Sequence, residues 1–234
     1  MFDVPRPCIP VSGNDELFPV HRIYCVGRNY AAHARESGGD PDREAPFYFM
    51  KPPDAVMGND SSVPYPPRTN DLHHEIELVV AIGRAGKDIP VEKAPGVIFG
   101  YAVGIDLTRR DLQTAARNAG RPWDTAKGFD HSAPVSGIRR VADVGYPQSG
   151  RIWLKVNGNL RQEGNLADMI WSVPEAIAEL STFYTLAPGD LLFTGTPAGV
   201  GPVVAGDRLT GGIDGVGEIG IDIVADEVGQ LIDR

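Results

Sequence analysis

Cysteine is scarce: 234 residues hold two, Cys8 and Cys25, in neither a C-x-x-C nor a zinc spacing. That excludes a disulfide framework and a cysteine-built metal site, and it suits a reducing, cytoplasmic setting. Long apolar runs are missing too. No stretch reaches the roughly 18 apolar residues of a membrane-spanning helix, and the opening MFDVPRPCIPVSGNDELFP lacks the basic start and apolar run of a secretion signal. Basic charge is short: 22 Lys+Arg stand against 31 Asp+Glu, a formal charge of −9 with His neutral. The basic residues are dispersed or interleaved with acids, so nothing resembles the basic stripe that binds nucleic acid. We expect neither a nucleic-acid nor a membrane partner.

Turn formers, by contrast, are abundant. With 28 Gly and 20 Pro, the chain is punctuated too often for a helical bundle. Strand-like segments rich in β-branched or aromatic residues fall at 22–27, 45–50, 76–83, 97–107, 151–158, 190–195 and 218–225. Helices are expected at 30–37, 108–118 and 174–183, each short. At a typical ~150 residues per domain the length allows one or two. With no repeat or linker in view, we expect an N-terminal arm over 1–20 and a single domain over 21–234. The class is mixed α+β and β-rich.

The first group with chemical content is His73-His74-Glu75-Ile76-Glu77, entering an apolar strand. Alternate strand residues face the same way, so Glu75 and Glu77 project together while Ile76 points elsewhere. Crowded carboxylates must be solvated, share a proton or bind a cation. Asp106 ends another apolar run, where it serves either as a helix N-cap or as a third member of the cluster. Three oxygen donors favour a hard ion, Mg2+ or Mn2+, and leave coordination positions open.

His33 and Glu36 stand three apart, so a helix puts them on one face, where a carboxylate can orient an imidazole as a general base. A solvated surface pair would look the same. The polar GGDPDRE that follows has the make-up of a hinge for a lid. Arg110 and Gln113 share a helical face, a fork suited to a carboxylate or simply an amphipathic surface. Lys127, flanked by Trp123 and Phe129, is placed either to stabilise an oxyanion or to snorkel outward. The loop LLFTGTPAGVG offers backbone N–H groups and the hydroxyls of Thr194 and Thr196 to an anion. Gly215-Val-Gly-Glu-Ile-Gly220 spells G-x-G-x-x-G, but no βαβ unit follows, so it reads as a turn.

In the order GRNYAAHARE, FMKP, HHEIELVVAIG, GYAVGIDLTRRDLQ, GRPWDTAKGFDHSAPVSG, VNGNLRQ and LLFTGTPAGVG, these segments together resemble the fumarylacetoacetate hydrolase family over roughly residues 22–225. The run from PVHRIYCVGRNY through FDHSAP is most similar to its fumarylpyruvate-cleaving members of gentisate-type aromatic degradation. The resemblance implies a β-rich fold with sheets rolled into a barrel-like core, few short helices and a homodimer. It implies Mg2+ or Mn2+ on Glu75, Glu77 and Asp106, a water-activating dyad of His33 and Glu36, and Arg110, Gln113, Lys127 and Thr196 at the substrate or its developing oxyanion.

The reaction so implied is hydrolysis of a carbon–carbon bond in an acylpyruvate, a small anionic 1,3-diketo acid. For fumarylpyruvate the products are fumarate and pyruvate. Oxaloacetate decarboxylation, or isomerisation and decarboxylation of a related diketo acid, uses the same site. A non-catalytic, metal-bound binding module is the alternative of a different class.

Overall fold

The computed structural model describes residues 4–32 and 44–226. Its centre is a six-stranded mixed sheet in the order Arg139–Arg140, Ile98–Ile105, Ile76–Ile82, Leu191–Phe193, Ile23–Gly27, Phe47–Lys51. Against it packs a five-stranded sheet ordered Asn159–Asn165, Arg151–Val156, Arg208–Ile213, Gly217–Val224, Ser61–Pro64. Helices are few and short among the described residues, the longest being Val173–Phe183. None of them is long and apolar enough to cross a membrane. The β-rich mixed class expected from the turn formers is the one observed.

All seven residues of Ile76–Ile82 are buried, as the apolar run from Leu78 to Ile82 requires of a strand covered on both faces. Ile76, Leu78, Val80 and Ile82 join the main core with Ile152, Leu154, Leu209 and Ile221 of the five-stranded sheet. Val79 and Ala81 face a second core that includes Ile9, Phe18, Val135 and Ile138. That second face corrects the expectation of a loose N-terminal arm. Cys8–Pro10 pairs antiparallel with Leu17–Pro19, and this hairpin buries Ile9, Val11, Phe18 and Val20 as the cover the outer face needs.

A three-stranded sheet, Thr108–Arg109, Leu72–His74, Gly201–Val203, sits at the end of the central strands. Because Thr108 and Arg109 pair with His73 and Leu72, the helix expected from 108 begins at Arg110 and runs to Asn118. Its cap position is Arg109, so the capping role open to Asp106 is not the one it takes. Of the 215–220 glycines, Gly215 lies in the hairpin turn between Arg208–Ile213 and Gly217–Val224, while Gly217 and Gly220 belong to the second of these strands.

Candidate active site

Glu77 is the second residue of the central strand, and Glu75 sits just before that strand begins. Asp106 follows the neighbouring Ile98–Ile105 and is drawn level with them by its N–H donating to Glu75 O at 2.8 Å. Strand alternation and this register bring one oxygen from each acid within 4.8 Å of the others, all three residues buried. The expected cluster is therefore assembled. Burial, with the charges of Asp106 and Glu75, pushes the Glu77 carboxyl well above the usual carboxylate range. Its Oε2 accepts from Gly195 N at 2.7 Å. Gly195 holds a left-handed turn, φ +92°, in which an added Cβ would press on Asn29.

Lys127 is buried rather than snorkelling. Its ammonium donates to Asp106 Oδ2 at 2.6 Å, Thr108 Oγ1 at 2.6 Å and Glu75 Oε2 at 2.8 Å. Burial opposes its charge, but Asp106 and Glu75 outweigh that and hold its pKa above the ordinary lysine value. Lys51, also buried, donates to the backbone oxygens of Leu107 and Lys127. Its Nζ lies 2.8 Å from Asp106 Oδ1, off the line of a hydrogen bond, so this buried oxygen has no hydrogen-bond donor among the described residues. A buried, donor-less carboxylate oxygen, an oxygen-only donor set and a carboxyl that is hard to ionise are the features a divalent cation would satisfy. The residues present fit such an ion.

Helix Arg110–Asn118 turns Arg110, Gln113, Thr114 and Arg117 towards one pocket of about 330 Å³, which also touches Glu75, Glu77, Lys127 and Thr196. The expected Arg110–Gln113 pair forms, Nη1 donating to Oε1 at 2.5 Å. Arg110 Nη2 at the same time pairs with Glu75. The hydroxyls of Thr194 and Thr196 are committed as donors to Leu78 O and Ile76 O, so Thr196 can offer the pocket acceptor capacity but no hydroxyl proton. His33, Glu36 and the hinge after them lie outside the described residues, as does most of the helix expected at 30–37.

Sequence reasoning passed over several contributors. Lys51 stood only inside FMKP, with no role. Gln162 accepts from Ile76 N and donates to Thr196 Oγ1, tying the five-stranded sheet to the site. His74 sits against the same amide oxygen at 2.9 Å. Burial, joined by the His73 and Arg161 charges, outweighs the Gln162 hydrogen bond and the Glu75 charge and leaves its imidazole below the ordinary range. No local pattern signals Gln162, 88 positions from His74. A lysine ending the aromatic run FYFM was the one available hint for Lys51.

Residues 22–224 match the family model described as fumarylacetoacetate (FAA) hydrolase C-terminal. A fumarylpyruvate hydrolase of Ralstonia sp is 47% identical over 184 residues, covering 79% of this chain and 95% of that protein. The mitochondrial oxaloacetate tautomerase FAHD1 of Arabidopsis thaliana is 44% identical over 202 residues, 86% of this chain and 90% of its own length. The crystal structure of fumarylpyruvate hydrolase from Pseudomonas aeruginosa in complex with Mn2+ and pyruvate superposes with a TM-score of 0.95 at 50% identity, covering 97% of this chain and 99% of that one. With its acid cluster, its sheets and nearly all of its length accounted for in this way, the chain belongs to the fumarylacetoacetate hydrolase family.

Proposed function

We propose that this protein is a metal-dependent hydrolase of acylpyruvates, with fumarylpyruvate, cleaved to fumarate and pyruvate, as its substrate. The observation that carries the reading is the buried triad of Glu75, Glu77 and Asp106, of which Glu75 and Glu77 line a pocket together with Lys127 and Arg110. The relative described with Mn2+ and pyruvate supports it.

A bound Mg2+ or Mn2+ supplies Lewis acidity towards the oxygens of a 2-oxo acid. Glu75, Glu77 and Asp106 are the residues that would hold it. His33, oriented by Glu36, takes a proton from water, and the resulting hydroxide attacks the distal ketone. Collapse of the adduct breaks the bond to the pyruvyl methylene, giving the carboxylic acid and the enolate of pyruvate. Lys127, kept protonated by its acidic neighbours, places positive charge and a proton beside the developing anion. Arg110, held by Gln113, offers its guanidinium to the substrate carboxylate.

Tautomerisation of oxaloacetate is the second reading, favoured by the 44% identical relative of that name. It needs a proton moved between carbon and oxygen but no water added. An absorbance assay with Mg2+ or Mn2+ across fumarylpyruvate, maleylpyruvate, acetylpyruvate and oxaloacetate ranks the substrates. Reaction in 18O-labelled water separates the two chemistries: label entering the acid at cleavage supports hydrolysis. Loss of fumarylpyruvate absorbance without pyruvate release, or no turnover of any acylpyruvate, refutes it.

A further inference from the structure

One face of the strand Phe47–Lys51 carries Phe47, Phe49 and Lys51, since alternate residues share a side. Lys51 ends at Asp106. Lys127 Nζ lies over the Phe49 ring, 4.9 Å from its centroid. Trp123 stands between the two phenylalanines, with ring centroids 6.0 Å from Phe49 and 5.6 Å, edge-on, from Phe47. At the outer end the Arg28 guanidinium sits over Phe47 at 5.8 Å. Arg28, both phenylalanines and Trp123 line the same pocket as the acids.

This outer end is built rather than incidental. Phe47 pairs with Gly27 across the sheet, and a Cβ on Gly27 would fall 2.1 Å from the Phe47 ring. Only glycine lets that ring lie flat across the neighbouring strand. The next residue, Arg28, takes a left-handed φ of 56°, unusual for a side chain of its size, and this bend ends the strand and sends the arginine over the ring.

We propose that Arg28 is the subsite for the terminal carboxylate of the substrate, and that the Phe47–Phe49–Trp123 wall selects a flat, unsaturated chain between it and the acid cluster. The inference rests on the acylpyruvate reading and adds the side chains that would select a 2,4-diketo acid with a second carboxylate at its far end over one without it. The aromatic wall offers no hydrogen-bonding partner on the side it covers, which suits a conjugated hydrocarbon segment lying against it.

The test uses two 2-oxo acids of equal length that cannot be hydrolysed, 2-oxoheptanedioate and 2-oxoheptanoate, which differ only in the terminal carboxylate. Their binding to the Mn2+-loaded full chain is measured by calorimetry for the wild type and Arg28→Gln. A charge-assisted contact predicts tighter binding of the dioate by about ten- to hundredfold, and a ratio near one in Arg28→Gln. A wild-type preference below twofold overturns the proposal without reference to any variant, as does a preference that persists in Arg28→Gln. Neither ligand turns over, so the outcome is independent of the reaction: selectivity without cleavage of fumarylpyruvate refutes the proposed hydrolysis and leaves the subsite standing.

Discussion

Replacing Lys127 by Met keeps length and burial while removing the ammonium that holds Glu75 Oε2 at 2.8 Å and Asp106 Oδ2 at 2.6 Å. Both acids and the lysine are almost fully buried, so solvent cannot replace the lost charge. Breaking one side of such a buried pair destabilises a protein by about 3–5 kcal/mol. At ~2–4 °C per kcal/mol for a chain of this size, the melting temperature in chelator should fall by roughly 6–20 °C. A divalent cation neutralises the same oxygens. A saturating ion at ~100 times its dissociation constant stabilises by about 2.7 kcal/mol, and in Lys127→Met it has no ammonium to displace or share with. The shift between chelator and millimolar Mn2+ should therefore be larger in the variant than in the wild type, while turnover is lost. Thermal unfolding followed by fluorescence in the two buffers measures both quantities. A variant melting within 2 °C of wild type in chelator would show that Lys127 does not neutralise the acids. Equal metal shifts in the two proteins would show that lysine and metal do not share oxygens.

Three further outcomes follow from the same geometry. His33→Ala should lower turnover by about 10²-fold or more, a general-base-sized effect, with Mn2+ affinity by calorimetry little changed; full turnover would remove His33 and Glu36 from the mechanism. Glu77→Gln relieves a carboxyl that burial and two acidic neighbours already disfavour as an anion, so its metal-free form should melt no lower than wild type. Its Mn2+-induced shift should largely vanish, and a retained shift would exclude Glu77 as a ligand. The third concerns pH. His74 is held below its ordinary 6.5 chiefly by burial, so below that value the unfolded chain binds a proton the folded one refuses. Stability from this group is present above about pH 6.5 and is lost as pH falls towards the folded value. Melting temperatures between pH 7.5 and 5.5 should slope less steeply in His74→Gln, and parallel slopes would contradict that assignment.

The parts of the site legible in the sequence are those carried by local periodicity. Glu75 and Glu77 share a face because a strand repeats every two residues, and Arg110 meets Gln113 because a helix brings residues three apart together. Asp106 was ambiguous, since a cap and a cluster member look alike at the end of an apolar run. Register with Glu75 O resolves it. Lys127 was ambiguous for the same reason: a lysine among aromatics can point either way until the two acids beneath it are known. The arm over 1–20 packs onto the domain because the outer face of the central strand gives its apolar residues a place to bury.

What the sequence by itself determined is the class of chain and the shared face of Glu75 and Glu77. Turn formers and β-branched runs act over a few residues, and so does the alternation that pairs two glutamates. Only the tertiary structure decided which cations face those acids, that Gln162 reaches in from the other sheet to Thr196, and that Gly27 makes room for the Phe47 ring beneath Arg28. The physical reason is range. Backbone preferences are encoded by neighbours in the chain, whereas desolvation, ion pairing and ring packing depend on side chains that sheet register brings together from distant positions.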